Sequence, residues 1–166
     1  MDLDEVYKAY VKDLYRYLLS LSKNHFTAED LVQEAFYRAY IQLEDYEINN
    51  IKAWLFKVAY NAFIDFTRKN KKEIIENKNI QLVDMLSPEK KLLEKESFEL
   101  LMNEITSLND KEKHVLLLCD LNQLSLKEAA EILDLNLNTL KSHLVRGRKK
   151  MIERIKERRK ADERST

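Results

Sequence analysis

The 166-residue sequence contains only one glycine, one proline and one cysteine, and it lacks a long hydrophobic run. Antiparallel sheets depend on glycine, asparagine-glycine pairs and proline at their turns, so this scarcity nearly excludes a β-sandwich or a β-barrel. The single cysteine, Cys119, excludes an internal disulfide framework and leaves no second thiol for a zinc cluster. The longest apolar run, residues 115–119, is far shorter than the ~20 residues that span a bilayer.

Charged residues make up 35% of the chain and hydrophobic residues 45%, which is typical of amphipathic helices in a soluble protein. The N-terminus is acidic where a signal peptide would be basic. We therefore predict an all-α protein of the cytoplasm. No cofactor and no metal are expected, because His25, His114 and His143 share no metal-ligand spacing.

The 29 basic and 29 acidic residues cancel, but they are separated along the chain. Residues 1–51 carry 5 basic and 10 acidic groups (−5), and residues 52–72 carry 6 and 1 (+5). Residues 73–138 carry 7 and 14 (−7), and residues 139–166 carry 11 and 4 (+7). Charge runs are often no more than solvated helix faces. Two basic blocks that are about 80 residues apart nevertheless favour two separate contacts with a polyanion.

Apolar periodicity predicts helices over residues 2–22, about 28–43 and about 51–69. A capping-box pattern that starts at Thr27 is expected to open the second helix, and Asn49 or Asn50 the third.

The helical pattern then weakens and restarts at Ser87-Pro88. We therefore predict two small helical bundles joined by a linker: a first domain over residues 1–70, a linker over 71–87, and a second domain with a basic tail over 88–166.

Within the second domain, residues 125–150 have the layout of a helix-turn-helix. Ser125 and Glu128 form a capping box that opens a helix through about Leu133, and Asn138 is predicted to cap the last helix. The last helix is expected to run from Thr139 to about Arg159. In such a motif the start of the second helix enters the major groove of DNA.

Leu133, Leu137, Leu140 and Leu144 are expected to fill the space between the two helices. The polar side chains that remain for DNA are Thr139, Lys141, Ser142, His143, Arg146 and, further along, Arg148. A plain helical hairpin, with basic residues attracted to a helix C-terminus, is the alternative for this segment.

The first basic block has a different character, because its lysines and arginines alternate with aromatic residues. Lys52, Lys57, Arg68 and Lys69 lie among Trp54, Phe56, Tyr60, Phe63 and Phe66. Basic groups together with aromatic rings suit unpaired nucleic acid. The same aromatic spacing is also what a buried helical stripe requires, so both interpretations stay open for Trp54.

Three segments of the chain resemble the signature motifs of a known protein family. Residues 28–40 resemble the region 2.1–2.2 signature of bacterial sigma factors, and residues 53–69 resemble the region that follows it. Residues 108–151 resemble region 4, with residues 138–148 matching its recognition helix. The order and separation are those of the extracytoplasmic-function (ECF) group, which retains only these two domains.

The resemblance implies a sigma factor, which is a subunit without catalytic activity that directs RNA polymerase to promoters. Asp30, Gln33 and Glu34 would dock on the clamp helices of the largest polymerase subunit. The loop of about 44–50 and the third helix would hold the single-stranded −10 element. The residues implied there are Asn61 at the captured base and Lys52, Lys57, Arg68 and Lys69 at phosphates.

The helix-turn-helix would read the −35 element as a duplex. An anti-sigma factor, frequently membrane-anchored in this family, is a further expected partner, whereas no membrane insertion of this chain itself is expected. His143 stands where the family usually has arginine, which weakens the expectation of a DNA contact there. Gly147 replaces a usual alanine, at a cost to the helix of about 1 kcal/mol.

Two other classes of protein are the alternatives. An autonomous helix-turn-helix regulator would account for residues 88–160 but would leave the first bundle without a role. A nucleic-acid-processing enzyme would need metal-ligating carboxylates or a histidine-based site, and the sequence offers neither spacing.

Overall fold

The computed structural model describes residues 2–43, 50–70 and 99–165. Every regular element in these ranges is a helix, and the packing divides the chain into two units, Met1–Lys91 and Leu92–Thr166. The prediction of an all-α fold with two helical bundles is confirmed. The predicted linker, residues 71–87, and the helix restart at Ser87 lie outside the described residues. No helix within the described ranges is both long and apolar enough to cross a membrane.

The first bundle consists of α1 (Leu3–Ser22), α2 (His25–Leu43) and α3 (Ile51–Lys69), and each helix packs on the other two. Asn50 Oδ1 accepts a hydrogen bond from Ala53 N at 3.1 Å, so the predicted cap of α3 is confirmed. The interior is lined by apolar side chains at helical spacing, among them Leu14, Leu18, Leu31, Ala35, Ala39, Leu55, Phe56 and Ala59.

The start of α2 differs from the prediction. Asn24 Oδ1 accepts a hydrogen bond from Thr27 N at 3.0 Å, so Asn24 takes the capping position that was assigned to Thr27. α1 ends at Ser22, the next residue, Lys23, has a left-handed φ of 55°, and the chain turns into α2 at once. The helix therefore begins at His25, three residues earlier than expected.

The second bundle contains α4 (helical residues 99–106), α5 (Asp110–Leu116), α6 (Leu126–Leu133) and α7 (Leu137–Ser165). α5 continues directly into a π-helical turn, Leu117–Leu121. α5 and α6 both pack on α7. Buried apolar residues from all four helices form the core, including Ile105, Val115, Leu118, Ala129, Ile132, Leu140, Leu144 and Met151.

The helix-turn-helix is built by α6, a short turn and α7. Both hydrogen bonds of the predicted capping box are present, since Glu128 N donates to Ser125 Oγ and Ser125 N donates to Glu128 Oε1. The prediction that Asn138 caps α7 was wrong. Thr139 N donates to Asn136 Oδ1 at 2.8 Å, and Asn138 lies inside the helix. As a result Leu137 opens the helix and is 41% exposed, so it does not fill the interior as predicted.

The one glycine of the chain lies where α5 and α7 approach each other closely. A β-carbon placed on Gly147 would lie 3.1 Å from Leu116 Cδ1 and 3.5 Å from Glu112 Cβ. The first of these distances is tighter than most side-chain contacts, so alanine would push Leu116 aside. The packing of the two helices thus gives a reason for glycine that helix propensity alone opposes.

Candidate functional site

The outward face of α2 combines polar groups with exposed aromatic rings. Asp30, Gln33 and Glu34 are exposed, as a docking role requires. Steps of three and four residues place four large apolar side chains on the same face. These are Phe26, Tyr37, Tyr40 and Ile41, with exposed fractions of 73%, 62%, 52% and 47%. The seven residues are called the α2 surface below.

The four apolar members of the α2 surface were missed in the sequence. Their signal was the register, because they lie opposite the buried stripe of Leu31, Ala35 and Ala39 on the same helix. Several large apolar side chains exposed on one helix face are a feature of surfaces that bind a partner.

A cleft of about 330 Å³ lies beside this surface, between α2 and α3. Arg38 bridges the two helices, because its Nε donates to Glu34 Oε1 at 3.0 Å and its Nη2 donates to Asp65 Oδ2 at 3.1 Å. Lys69, which was predicted to hold a phosphate, lines this cleft together with Asp30 and Glu34. These carboxylates oppose a phosphate at that position, so Lys69 suits the role less well than the sequence implied.

On α3, three of the predicted −10 residues share one face. Lys57, Asn61 and Arg68 are four and seven residues apart, and Asn61 and Arg68 are exposed. Lys52 lies on the first turn of α3 in a different register, one turn before the buried Phe56. The half-buried Trp54 contributes to the bundle and retains an accessible part.

On α7, the structure brings together most of the residues that were predicted to read DNA. Lys141, Ser142 and Arg146 are exposed within the first three turns, and Thr139 is half-buried beside them. Leu140 and Leu144 are 0% and 4% exposed on the opposite side, as predicted. Val145, which was not among the predicted DNA-binding residues, is 65% exposed in the middle of this outward face.

His143 does not lie on that exposed face, and its assignment there was wrong. Only 9% of the residue is exposed, because α5 packs against this side of α7. Burial lowers the pKa of the imidazole, and the positive charges of Arg146 and Lys111 lower it further. Its Nδ1 lies 3.2 Å from Arg146 Nη2, so a neutral ring can accept a hydrogen bond that orients Arg146.

Several basic residues further along α7 form ion pairs within the bundle. Arg148 Nε and Nη2 donate to the two carboxylate oxygens of Asp120 at 3.0 and 2.6 Å. Arg148 would have to exchange this partner for a phosphate in order to contact DNA. Two further pairs follow the same pattern, Lys150 with Glu112 at 2.8 Å and Arg158 with Glu104 at 2.6 Å. Lys149, Lys156, Arg159 and Lys160 stay exposed further along α7, so only some of its basic residues are engaged in this way.

Each of the two bundles matches a known protein family. Residues 6–73 match the Sigma-70 region 2 family, and residues 98–151 match the Sigma-70, region 4 family. The chain is 30% identical to the ECF RNA polymerase sigma factor SigW of Bacillus subtilis over 168 aligned residues, which cover 94% of this chain and 88% of SigW. It is 54% identical to SigM of the same organism over 74 residues, a match that spans 45% of each protein.

A solved structure has the same fold. The sigma factor RpoE of Bartonella quintana, crystallised with the anti-sigma factor NepR, superposes with a TM-score of 0.72 at 24% identity. The superposition covers 92% of this chain and 96% of that one. The chain therefore belongs to the extracytoplasmic-function group of the sigma-70 family of RNA polymerase sigma factors, which are transcription initiation factors.

Proposed function

We propose that this protein gives core RNA polymerase its specificity for one class of promoter, through three surfaces on its two bundles. The α2 surface binds the polymerase, α3 with the preceding loop holds the melted −10 element, and α7 reads the −35 duplex. The observation that carries the proposal is the helix-turn-helix, whose second helix presents Lys141, Ser142 and Arg146 together. A chain with this motif alone could be a simple repressor, but the α2 surface gives it a second, protein-binding face.

The chemistry of the α2 surface supports docking on a helical partner such as the polymerase clamp helices. Protein interfaces commonly have an aromatic centre with a polar rim, and tyrosine is among the residues that contribute most to binding. Tyr37 lies between Gln33 and Ile41 at four-residue steps, with Asp30 and Glu34 at the edge. This arrangement fits an amphipathic partner helix that carries basic residues.

The −10 contact would be made by Lys57, Asn61 and Arg68 on α3. An extruded base exposes hydrogen-bonding groups on its edge, and the amide of Asn61 has both a donor and an acceptor for them. Lys57 and Arg68 provide positive charge one turn before and two turns after this amide. The six residues of the loop before Asn50 that complete this site lie outside the described ranges.

The mechanism is a coupling of binding energies, and the chain itself makes no chemical bond. Binding of α7 to the −35 duplex places the complex, and base capture at −10 offsets part of the few kcal/mol that unstacking costs. Neither contact needs to be strong alone, because the polymerase holds both bundles at once. The protein would act in the cytoplasm with the polymerase. We also infer that an anti-sigma factor regulates it, as the NepR complex of the similar RpoE illustrates.

Reconstituted transcription tests the proposal. Purified full-length protein added to core RNA polymerase is expected to produce initiation at a defined class of promoters that core alone does not use. Footprints should cover both promoter elements. Tight promoter binding by the isolated protein, without any effect on core, would instead identify an autonomous regulator.

Asn61→Ala is expected to slow promoter opening, or to relax base preference at −10, by about 10-fold or more while binding to core is unchanged. The reason is that the amide reads a base that is exposed only after melting. Permanganate footprinting of the open complex and a core-binding assay measure the two effects. Asn103→Ala, which removes an exposed amide from α4, is the matched control. If Asn61→Ala weakens core binding as much as opening, the residue supports the fold instead.

A further inference from the structure

Val145 is an apolar side chain in the centre of an otherwise polar, DNA-facing helix surface. It is 65% exposed, the largest exposed fraction among the large hydrophobic residues of the described part of the second bundle. Lys141 and Lys149 lie one turn before and one turn after it, and both are exposed. The buried residues of this stretch, Leu140 and Leu144 among them, occupy the opposite side of α7.

An exposed apolar residue is by itself unremarkable in a soluble protein. Three features distinguish Val145. Valine is a poor helix former, so an exposed helical surface has no intrinsic preference for it. No side chain of its own bundle covers it, since the helix packs through its other face. It also lies between cationic groups, which a surface for an apolar protein partner would disfavour and a surface for DNA requires.

The position of Val145 favours contact with base edges over contact with the DNA backbone. In a helix-turn-helix the second helix inserts its N-terminal part into the major groove, and residues at the centre of the inserted face meet the bases. The exposed Lys141, Ser142 and Lys149 surround Val145 within one turn on either side. His143 holds Arg146 through a hydrogen bond at 3.2 Å toward the α5 side, so the guanidinium does not cover the valine.

The major groove displays one apolar group, which is the 5-methyl group of thymine. We propose that Val145 specifies an A·T base pair in the −35 element by packing its two methyl groups against this thymine methyl. This assignment rests on the proposed function, because it requires α7 to lie in the groove. It adds a base-specific apolar contact to a surface that otherwise offers hydrogen bonds and charge.

Replacing thymine with deoxyuridine tests the contact, since the change removes the methyl group and leaves every hydrogen bond in place. The holoenzyme, made from full-length protein and core, is bound to promoter duplexes in which each −35 thymine is replaced in turn. At one position the wild-type holoenzyme is expected to lose about fourfold in affinity, as for one buried methyl group. With Val145→Ala the same replacement should have almost no effect, which a double-mutant cycle expresses as coupling.

Ile152→Ala is the matched control, because Ile152 is also β-branched, lies two turns further along α7 and is 54% exposed. Its ratio of thymine to deoxyuridine affinity should equal that of the wild type. The inference is overturned if no thymine shows coupling to Val145, if Val145→Ala weakens all promoters equally, or if the selected −35 element has no A·T pair. Failure of the wild-type holoenzyme to bind any promoter specifically would refute the proposed function itself.

Discussion

Replacing Tyr37 with alanine is expected to weaken binding of the protein to core RNA polymerase about 30-fold, which corresponds to about 2 kcal/mol. The ring is 62% exposed at the middle of the α2 surface, so little of its area is buried within the free protein. Large aromatic residues at the centre of an interface commonly contribute this much, because the partner removes most of their surface from water. Titration of full-length protein with purified core measures the affinity.

Tyr7→Ala is the control for this variant. Tyr7 is 47% exposed and its ring packs on Phe36 at a centroid distance of 4.9 Å, so the change removes a tyrosine from α1 and leaves the α2 surface intact. Its affinity for core should stay within about twofold of the wild type. The thermal unfolding temperature should be nearly unchanged in Tyr37→Ala and lowered in Tyr7→Ala. Equal losses of core affinity would show that the α2 surface is not the docking site.

Replacing Lys150 with alanine is expected to destabilise the second bundle by about 2–3 kcal/mol. Lys150 Nζ donates to both carboxylate oxygens of Glu112 at 2.8 and 2.9 Å, and the Glu112 side chain is only 2% exposed. Without the lysine, Glu112 keeps Asn109 Nδ2 as a partner at 3.0 Å, but its buried charge is no longer compensated. Amide hydrogen exchange in α5 and α7 measures the loss, because the only tryptophan, Trp54, reports on the first bundle.

Arg148→Ala provides the comparison for stability, since Arg148 of α7 also forms an ion pair, with Asp120 in the π-helical turn that continues α5. Its side chain and that of Asp120 are 53% and 35% exposed, so water replaces the lost partner and the expected cost is below about 1 kcal/mol. The double variant Glu112→Leu with Lys150→Met should recover most of the stability, because both charges leave together. A small, equal cost for Lys150→Ala and Arg148→Ala would mean that Glu112 is hydrated.

Local signals predicted the starts of α1, α3 and α6 well, but failed where two capping residues compete. The predicted end of α7 near Arg159 was also wrong, because the helix continues to Ser165. Asn50 and Ser125 cap α3 and α6 as expected, because each is the best-placed cap before its helix. At the start of α2 the cap is Asn24 instead of Thr27, and at the start of α7 it is Asn136 instead of Asn138. In both places a left-handed residue, Lys23 or Asp134, follows the preceding helix, and the tight turn selects the earlier cap.

The amino-acid sequence alone determined the all-α class, the two bundles, the helix-turn-helix and the family, because these follow from periodicity, caps and linear motifs. Only the tertiary structure decided which polar residues of α7 are buried or held in ion pairs within the bundle, and which are exposed. Packing of α5 on α7 buries His143, and Asp120 and Glu112 bind Arg148 and Lys150. The apolar members of the α2 surface, by contrast, could be found from the register of α2, because they lie opposite its buried stripe. The physical reason is that exposure and ion pairing depend on neighbours distant in the chain, which the sequence of a single helix does not contain.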